Sequence, residues 1–184
     1  MLILGVTGHP SSGKDTVASY LQQKGFAHIS TGDILREEMT RLGLPLDREQ
    51  MNRFSTEQRR KRGNSYPADI ASERIVGDSV ISGLRNTAEV SYLKGFLGPS
   101  FKLLIIAAPL KARYERARQR NRVGDDISFE MFKKQEELER KDDTASHEMD
   151  NVIALSDYII TNDSSLGDVY AKIDDLLAAI RKVG

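Results

Sequence analysis

A chain of 184 residues is long enough to bury one ordinary core, and 39% hydrophobic with 29% charged residues is the balance of a soluble globular domain. Lys and Arg number 27 and so do Asp and Glu, which excludes bulk electrostatic attraction to nucleic acid or to an anionic membrane as a main function. Cysteine is absent, which excludes a disulfide framework and thiolate chemistry and fits the cytoplasm. No apolar run nears the roughly 18 residues of a membrane span, and a strand that begins at residue 2 leaves no space for a signal peptide.

The first predicted element is a strand over Leu2–Val6. It runs into Gly5-Val-Thr-Gly-His-Pro-Ser-Ser-Gly-Lys-Asp-Thr16, and helical spacing follows at Val17, Ala18, Tyr20 and Leu21. Gly8 and Gly13 bracket four residues and Lys14 comes next, so strand, glycine-rich turn and helix stand in the order a phosphate-binding loop needs. Glycine lets the backbone wrap an oligophosphate, and main-chain N–H groups around Ser11, Ser12 and Gly13 with the positive helix end then face the anion. Lys14 reaches the outer phosphates as a point charge. Asp15 stands where a magnesium-binding Ser or Thr usually follows the lysine, and Thr16 comes one residue late. Either Asp15 or water takes over the metal, or Thr16 only caps the helix.

The helix is expected over Lys14–Lys24 with Gly25 as its stop, then a strand over Phe26–Ile29 that ends in Ser30-Thr-Gly-Asp33. A helix over Ile34–Leu42 follows, capped by Thr31 or Asp33. Asp47 with Gln50 reads as a capping box for a further helix that carries Met51 and Phe54 and ends in the basic run Arg59-Arg-Lys-Arg62. Pro67 suits the first turn of a helix whose apolar positions are Ile70, Ala71, Ile75 and Val76. A third strand spans Ser79–Ser82, and Gly83-Leu-Arg85 leads to a helix capped by Asn86 and Glu89. Phe101–Ala108 is an apolar strand of the kind buried on both faces of a parallel sheet. The next helix sets Leu110, Tyr114 and Ala117 on its inner side, with Arg113 and Arg118 read as solvated, and Val123-Gly-Asp-Asp126 breaks it. Helices over 128–141 and 150–155, a strand over Asp157–Thr161 and a long amphipathic helix from Leu166 to Ile180 complete the chain. His9 falls inside the loop as a backbone position, and His28 and His147 have no evident partner.

Alternating strands and helices predict an α/β fold, a five-stranded parallel sheet with helices on both faces. Ligands of such sheets bind beyond the carboxyl ends of the strands, where every polar turn named above falls.

Thr31-Gly-Asp-Ile-Leu-Arg36 beside a phosphate loop resembles the adenylate kinase family, in which a Thr-Gly-Asp-x-Leu-Arg run opens the acceptor site. The resemblance implies a three-layer P-loop NTPase fold in one domain, with core segments 1–30, 78–112 and 150–184. A helical acceptor-binding insert would span 31–77 and a short lid region 113–149. It implies that Thr31 and Arg36 contact an acceptor phosphate, with Arg59 as a further acceptor contact. Gly83-Leu-Arg85 is similar to the family's segment after the third strand and offers Arg85 as a second clamp, but Ser82 replaces the acid that ends that strand in adenylate kinases. Asp33 or Asp15 would then help hold magnesium, Asp33 also orienting the acceptor. Arg116 and Arg120, with Arg122 near them, look like the arginines of a short nucleotide-kinase lid that stabilise the transferring phosphoryl group. Ala154–Leu166 resembles the last strand and helix of dephospho-CoA kinases and an archaeal group of adenylate-kinase-related proteins, so that Asn162 and its neighbours would border the purine of ATP. The expected activity is ATP- and Mg²⁺-dependent phosphotransfer to a small nucleotide. Alternatives are a dephospho-CoA or other small-metabolite kinase, and a regulatory ATP-binding module.

Overall fold

A computed structural model describes residues 1–120, 127–141 and 146–183. The predicted break at Val123–Asp126, Arg122 and the side chain of His147 lie outside the described residues. Five strands form one parallel sheet: β1 (Ile3–Thr7), β2 (Ala27–Ser30), β3 (Ser79–Ser82), β4 (Phe101–Ala107) and β5 (Tyr158–Thr161), in the order β2-β3-β1-β4-β5. Because β1 lies between β3 and β4, Val6 pairs with both Ser82 and Leu104, and the loop after it opens at the centre of the carboxyl edge.

Alternation along the strands sorts their side chains into two cores. Leu4, Val6, Val80, Leu104 and Ile106 face one way and pack on Val17 and Leu21 of α1 (Lys14–Gln23) and on Val169 and Ile173 of α9 (Leu166–Val183). Ile3, Ile29, Ile81, Leu103 and Ile105 face the other. They meet Ala68 and Ala71 of α4 (Ala68–Glu73), Val90 and Leu93 of α5 (Thr87–Leu97), and Met149 and Val152 of α8 (Ser146–Ala154). Between β2 and β3 lies a third cluster, in which Leu35 and Met39 of α2 (Thr31–Arg41) pack with Phe54 of α3 (Arg48–Arg62) and with buried Tyr66. The Tyr66 hydroxyl donates to Glu38 at 2.5 Å, and burial together with that carboxylate keeps the phenol un-ionised.

Four elements depart from the sequence expectation. Helix α2 starts three residues early, with Ser30 as its cap: Ser30 Oγ accepts from the Asp33 N–H at 3.1 Å, because the Thr31 hydroxyl is engaged elsewhere. Helix α4 stops at Glu73, so Ile75 and Val76 follow it rather than line it, and Val76 is 70% exposed. Helix α8 begins at Ser146, four residues ahead of the expected start, and the face carrying Met149 and Val152 meets the second core. In α6 (Leu110–Arg120) the buried residues are Arg113 and Ala117, and Arg113 is not solvated.

Arg113 is 4% exposed; its Nε donates to the Ala108 carbonyl at 3.2 Å and its two terminal nitrogens donate to Glu136 of α7 (Phe129–Lys141). Tyr114 adds ring contacts with Phe129 and Phe132 of the same helix. Removing one partner of a buried pair strands the other without compensation. Arg113→Ala should therefore destabilise the α6–α7 unit by about 3 kcal/mol, seen as lost amide-exchange protection in residues 129–141. Among the described residues, no helix is long and apolar enough to cross a membrane.

Candidate active site

Strand β1 delivers the chain to Thr7, whose hydroxyl donates to the Leu84 carbonyl, and the backbone then turns back on itself. Gly8 has φ +153°, and a Cβ there would sit 2.3 Å from the Ile106 carbonyl oxygen. Ser11 takes the left-handed region at φ +59°, the Ser12 N–H closes on the His9 carbonyl at 3.2 Å, and Gly13 follows at φ +98°. Gly13 is also the N-cap of α1, and no side chain caps that helix. Its first N–H groups and the positive end of its dipole are thus presented to the loop.

The Ser11 and Ser12 hydroxyl oxygens are buried and have no hydrogen-bond partner in the protein. Buried polar atoms nearly always have one, so a polar ligand in the loop is what these two lack. Lys14 is 16% exposed with its Nζ 4.0 Å from the Asp15 carboxylate, which is itself 83% exposed, and Thr16 is half-buried on the first turn.

Across the crevice the ends of β2 and β3 are joined. The Thr31 hydroxyl donates to the Ser82 carbonyl at 3.1 Å, and Ser82 Oγ lies 2.8 Å from His28 Nε2. Asp33 and Arg36, one turn apart on α2, form an ion pair on its exposed face. The Arg85 N–H donates to Glu89 Oε2 at 2.7 Å, and the other oxygen of Glu89 accepts from Arg59 Nη2 at 3.0 Å. Arg59 Nη1 holds Ser55 Oγ at 2.8 Å, while its Nε is buried without a partner.

Residues 7–133 match the family model of an AAA domain. Over 174 residues the chain is 36% identical to the UPF0200 protein of Thermoplasma volcanium, and the alignment covers 94% of both. The chain belongs to the UPF0200 family. Solved structures similar to this UPF0200 chain include the shikimate kinase of Bacteroides thetaiotaomicron, at TM-score 0.61 and 12% identity over 96% of this chain and 98% of that one. Another is a gluconokinase from Sinorhizobium meliloti 1021, at TM-score 0.55 and 15% identity over 99% and 93%. The UPF0200 chain thus has the α/β P-loop kinase fold, a five-stranded parallel sheet flanked by helices.

Most residues singled out in the UPF0200 sequence gather at this edge of the sheet. Gly8 to Thr16 form the loop and the first turn of α1, and Thr31, Asp33, Arg36, Gly83 and Arg85 lie at the ends of β2 and β3. Arg116 stands in α6 with partners the sequence did not suggest: Nη2 donates to the Asn162 carbonyl at 3.0 Å and to Asn162 Oδ1 at 2.9 Å. Arg120 is exposed at the end of the same helix. His28, expected to lack a partner, meets Ser82, the position where an acid was missed.

Glu89 escaped notice as more than a cap. It does form the capping box with Asn86, but it is also 1% exposed, and burial pushes its carboxyl above the ordinary range against the pull of Arg59. Gly83, in the turn after β3, is closely packed, with φ +89° and a hypothetical Cβ 2.6 Å from Thr31 Oγ1. Gly83→Ala should therefore cost about 1–3 kcal/mol in strain and push Thr31 off the Ser82 carbonyl, read as a lower melting midpoint together with faster amide exchange at the start of α2. Among the described residues, no three His, Asp or Glu side chains cluster as a ready-made metal cage.

Proposed function

We propose that this protein transfers the γ-phosphoryl group of ATP to a small nucleotide acceptor in an adenylate-kinase-like manner, with Mg²⁺. The observation that carries the proposal is the loop at residues 8–16: a backbone turn with no room for a Cβ at Gly8 or Gly13, a helix end without a side-chain cap, a lysine on its first turn and two orphaned buried hydroxyls. That donor set fits an oligophosphate. Bound with ATP, Mg²⁺ would neutralise charge on the phosphate oxygens, and such ions take one or two carboxylates with the remaining positions filled by phosphate and water. Asp15 and Asp33 are the acids for that role, in keeping with the lack of an all-protein cage among the described residues.

Phosphoryl transfer asks the protein for placement and charge compensation more than for covalent chemistry. Main-chain N–H groups of the loop hold the triphosphate, and Lys14 reaches its outer end. Thr31, Arg36, Gly83, Arg85 and Arg59 form the acceptor side, the part supplied by residues 31–77 and the β3 turn. Arg120, at the end of α6, adds positive charge to balance the negative charge on the transferring phosphoryl oxygens.

A second reading, a hydroxyl acceptor on a small metabolite, is favoured by the ion pairs Arg36–Asp33 and Arg59–Glu89, which already balance two acceptor-side arginines. A coupled ADP-release assay over nucleoside monophosphates, dephospho-CoA, shikimate and gluconate separates the two. Turnover with a monophosphate supports the proposal; turnover confined to the hydroxyl acceptors replaces it by the second reading. ATP binding with no turnover on any of them points instead to a regulatory ATP-binding module.

A further inference from the structure

Two side chains, one from α6 and one from the turn after β5, converge on one main-chain oxygen of the phosphate loop. The Ser12 carbonyl accepts from Asn162 Nδ2 at 2.8 Å and, more weakly, from Arg116 Nη1 at 3.4 Å. Arg116 Nη2 then grips both oxygens of Asn162. Asn162 is 3% exposed and is itself anchored, its N–H donating to the Ala107 carbonyl at 2.7 Å. Its amide nitrogen occupies the space a Gly13 side chain would need, 2.3 Å from a Cβ there.

The peptide that follows Ser12 is the one with least local restraint. Gly13 lacks the Cβ that would penalise alternative orientations, and it already stands at φ +98°. In a planar trans peptide the C=O and N–H point to opposite sides. Holding the Ser12 carbonyl toward Asn162 and Arg116 therefore turns the Gly13 N–H the other way. A flip of this one plane would replace a donor by an acceptor at the mouth of α1 and set a carbonyl dipole against the phosphate.

We infer that Asn162 and Arg116 are positioning residues that lock the Ser12–Gly13 peptide with its N–H turned into the phosphate loop. They act through the loop, not by touching the base of the nucleotide or the transferring phosphoryl group. The inference rests on the reading of residues 8–16 as a triphosphate cradle. It also ties that cradle to α6, so that region 113–149 and the donor loop share a contact.

Inorganic tripolyphosphate, which has no base, tests this alongside ATP by titration calorimetry in Mg²⁺ buffer. Asn162→Ala removes the principal hydrogen bond, and Arg116→Lys keeps the charge but loses the planar fork that reaches several oxygens. Each variant should bind both probes about tenfold more weakly than the parent, the scale of one buried hydrogen bond. The Gly13 amide signal of the ¹⁵N-glycine-labelled parent should move on tripolyphosphate addition, and the movement should be reduced in both variants. Unchanged tripolyphosphate affinity in both overturns the inference, and so does a loss seen with ATP alone, which would make Asn162 a base contact. Should Asn162→Ala fail to fold, Arg116→Lys decides. A parent protein that binds neither probe removes the cradle reading itself, a result distinct from a parent that binds and variants that match it.

Discussion

Replacing Lys14 by alanine should lower phosphoryl transfer by about 10²- to 10³-fold, the usual consequence of deleting one preorganised group aimed at developing charge. Lys14 is the first residue of α1, directly after the loop, and its side chain is only 16% exposed, a partly water-excluded setting. There a charge interacts more strongly than it does in bulk water. The loss should fall mainly on kcat, because the loop N–H groups and the helix end still bind the triphosphate after the side chain is gone. Alanine is at home in a helix, so the melting midpoint should move little. The measurement is a coupled ADP-release assay with the acceptor found in the panel, set beside ATP affinity from calorimetry. Lys14→Arg should recover only part of the rate, since a bulky planar fork does not replace a compact point charge. An alanine variant with parental kcat would take the lysine out of the mechanism.

How far the sequence could foresee this arrangement depends on the range of each interaction. The loop was legible because strand, Gly8, Gly13 and Lys14 are contiguous and their chemistry is local. The Asn86–Glu89 capping box and the Asp47 cap were legible for the same reason, since each spans three residues. The apolar run Leu103–Ala107 of β4 betrayed a strand covered on both faces, as a central neighbour of β1 must be. What lay hidden was decided across the sheet. Ser30, Thr31 and Asp33 can all cap a helix, and the outcome turned on a carbonyl of β3 that captured the Thr31 hydroxyl. His28 found Ser82 only because β2 and β3 lie side by side. Arg113 read as an outward-facing charge because burying a guanidinium requires a partner, and the partner, Glu136, belongs to another helix. Arg116 read as a phosphate contact by its place in the chain; its partners within the protein, two oxygens of Asn162 after β5 and the Ser12 carbonyl of the loop, could not be read there because they lie far away in sequence.

Glu89→Ala should cost about 3 kcal/mol, spread over global stability rather than confined to one helix pair. Glu89 is only 1% exposed, and its removal leaves three donors at once. These are Arg59 Nη2, the Arg85 N–H and, at 3.4 Å, the Asn86 N–H. Arg59 already has a buried Nε without a partner, so its guanidinium would be left with Ser55 and the nearby charge of Glu148. Because Arg59 belongs to α3 and the two N–H groups to the turn after β3, the damage should spread to both parts of the proposed acceptor side. Urea unfolding measures the stability, and a raised acceptor KM with unchanged ATP affinity reports the location. The same carboxyl carries a pH signature. Burial raises its pKa above the ordinary 4.5, so over the window just above that value the folded state binds more protons than the unfolded chain. Stability must then fall as pH rises through the window, and must stay at the lower level once Glu89 is ionised in both states. Glu148, raised by burial as well, contributes in the same direction. Glu89→Gln removes the Glu89 share and should flatten the slope above pH 4.5, leaving the part due to Glu148. If the parent and Glu89→Gln show the same slope, the buried carboxylate is not the group that titrates.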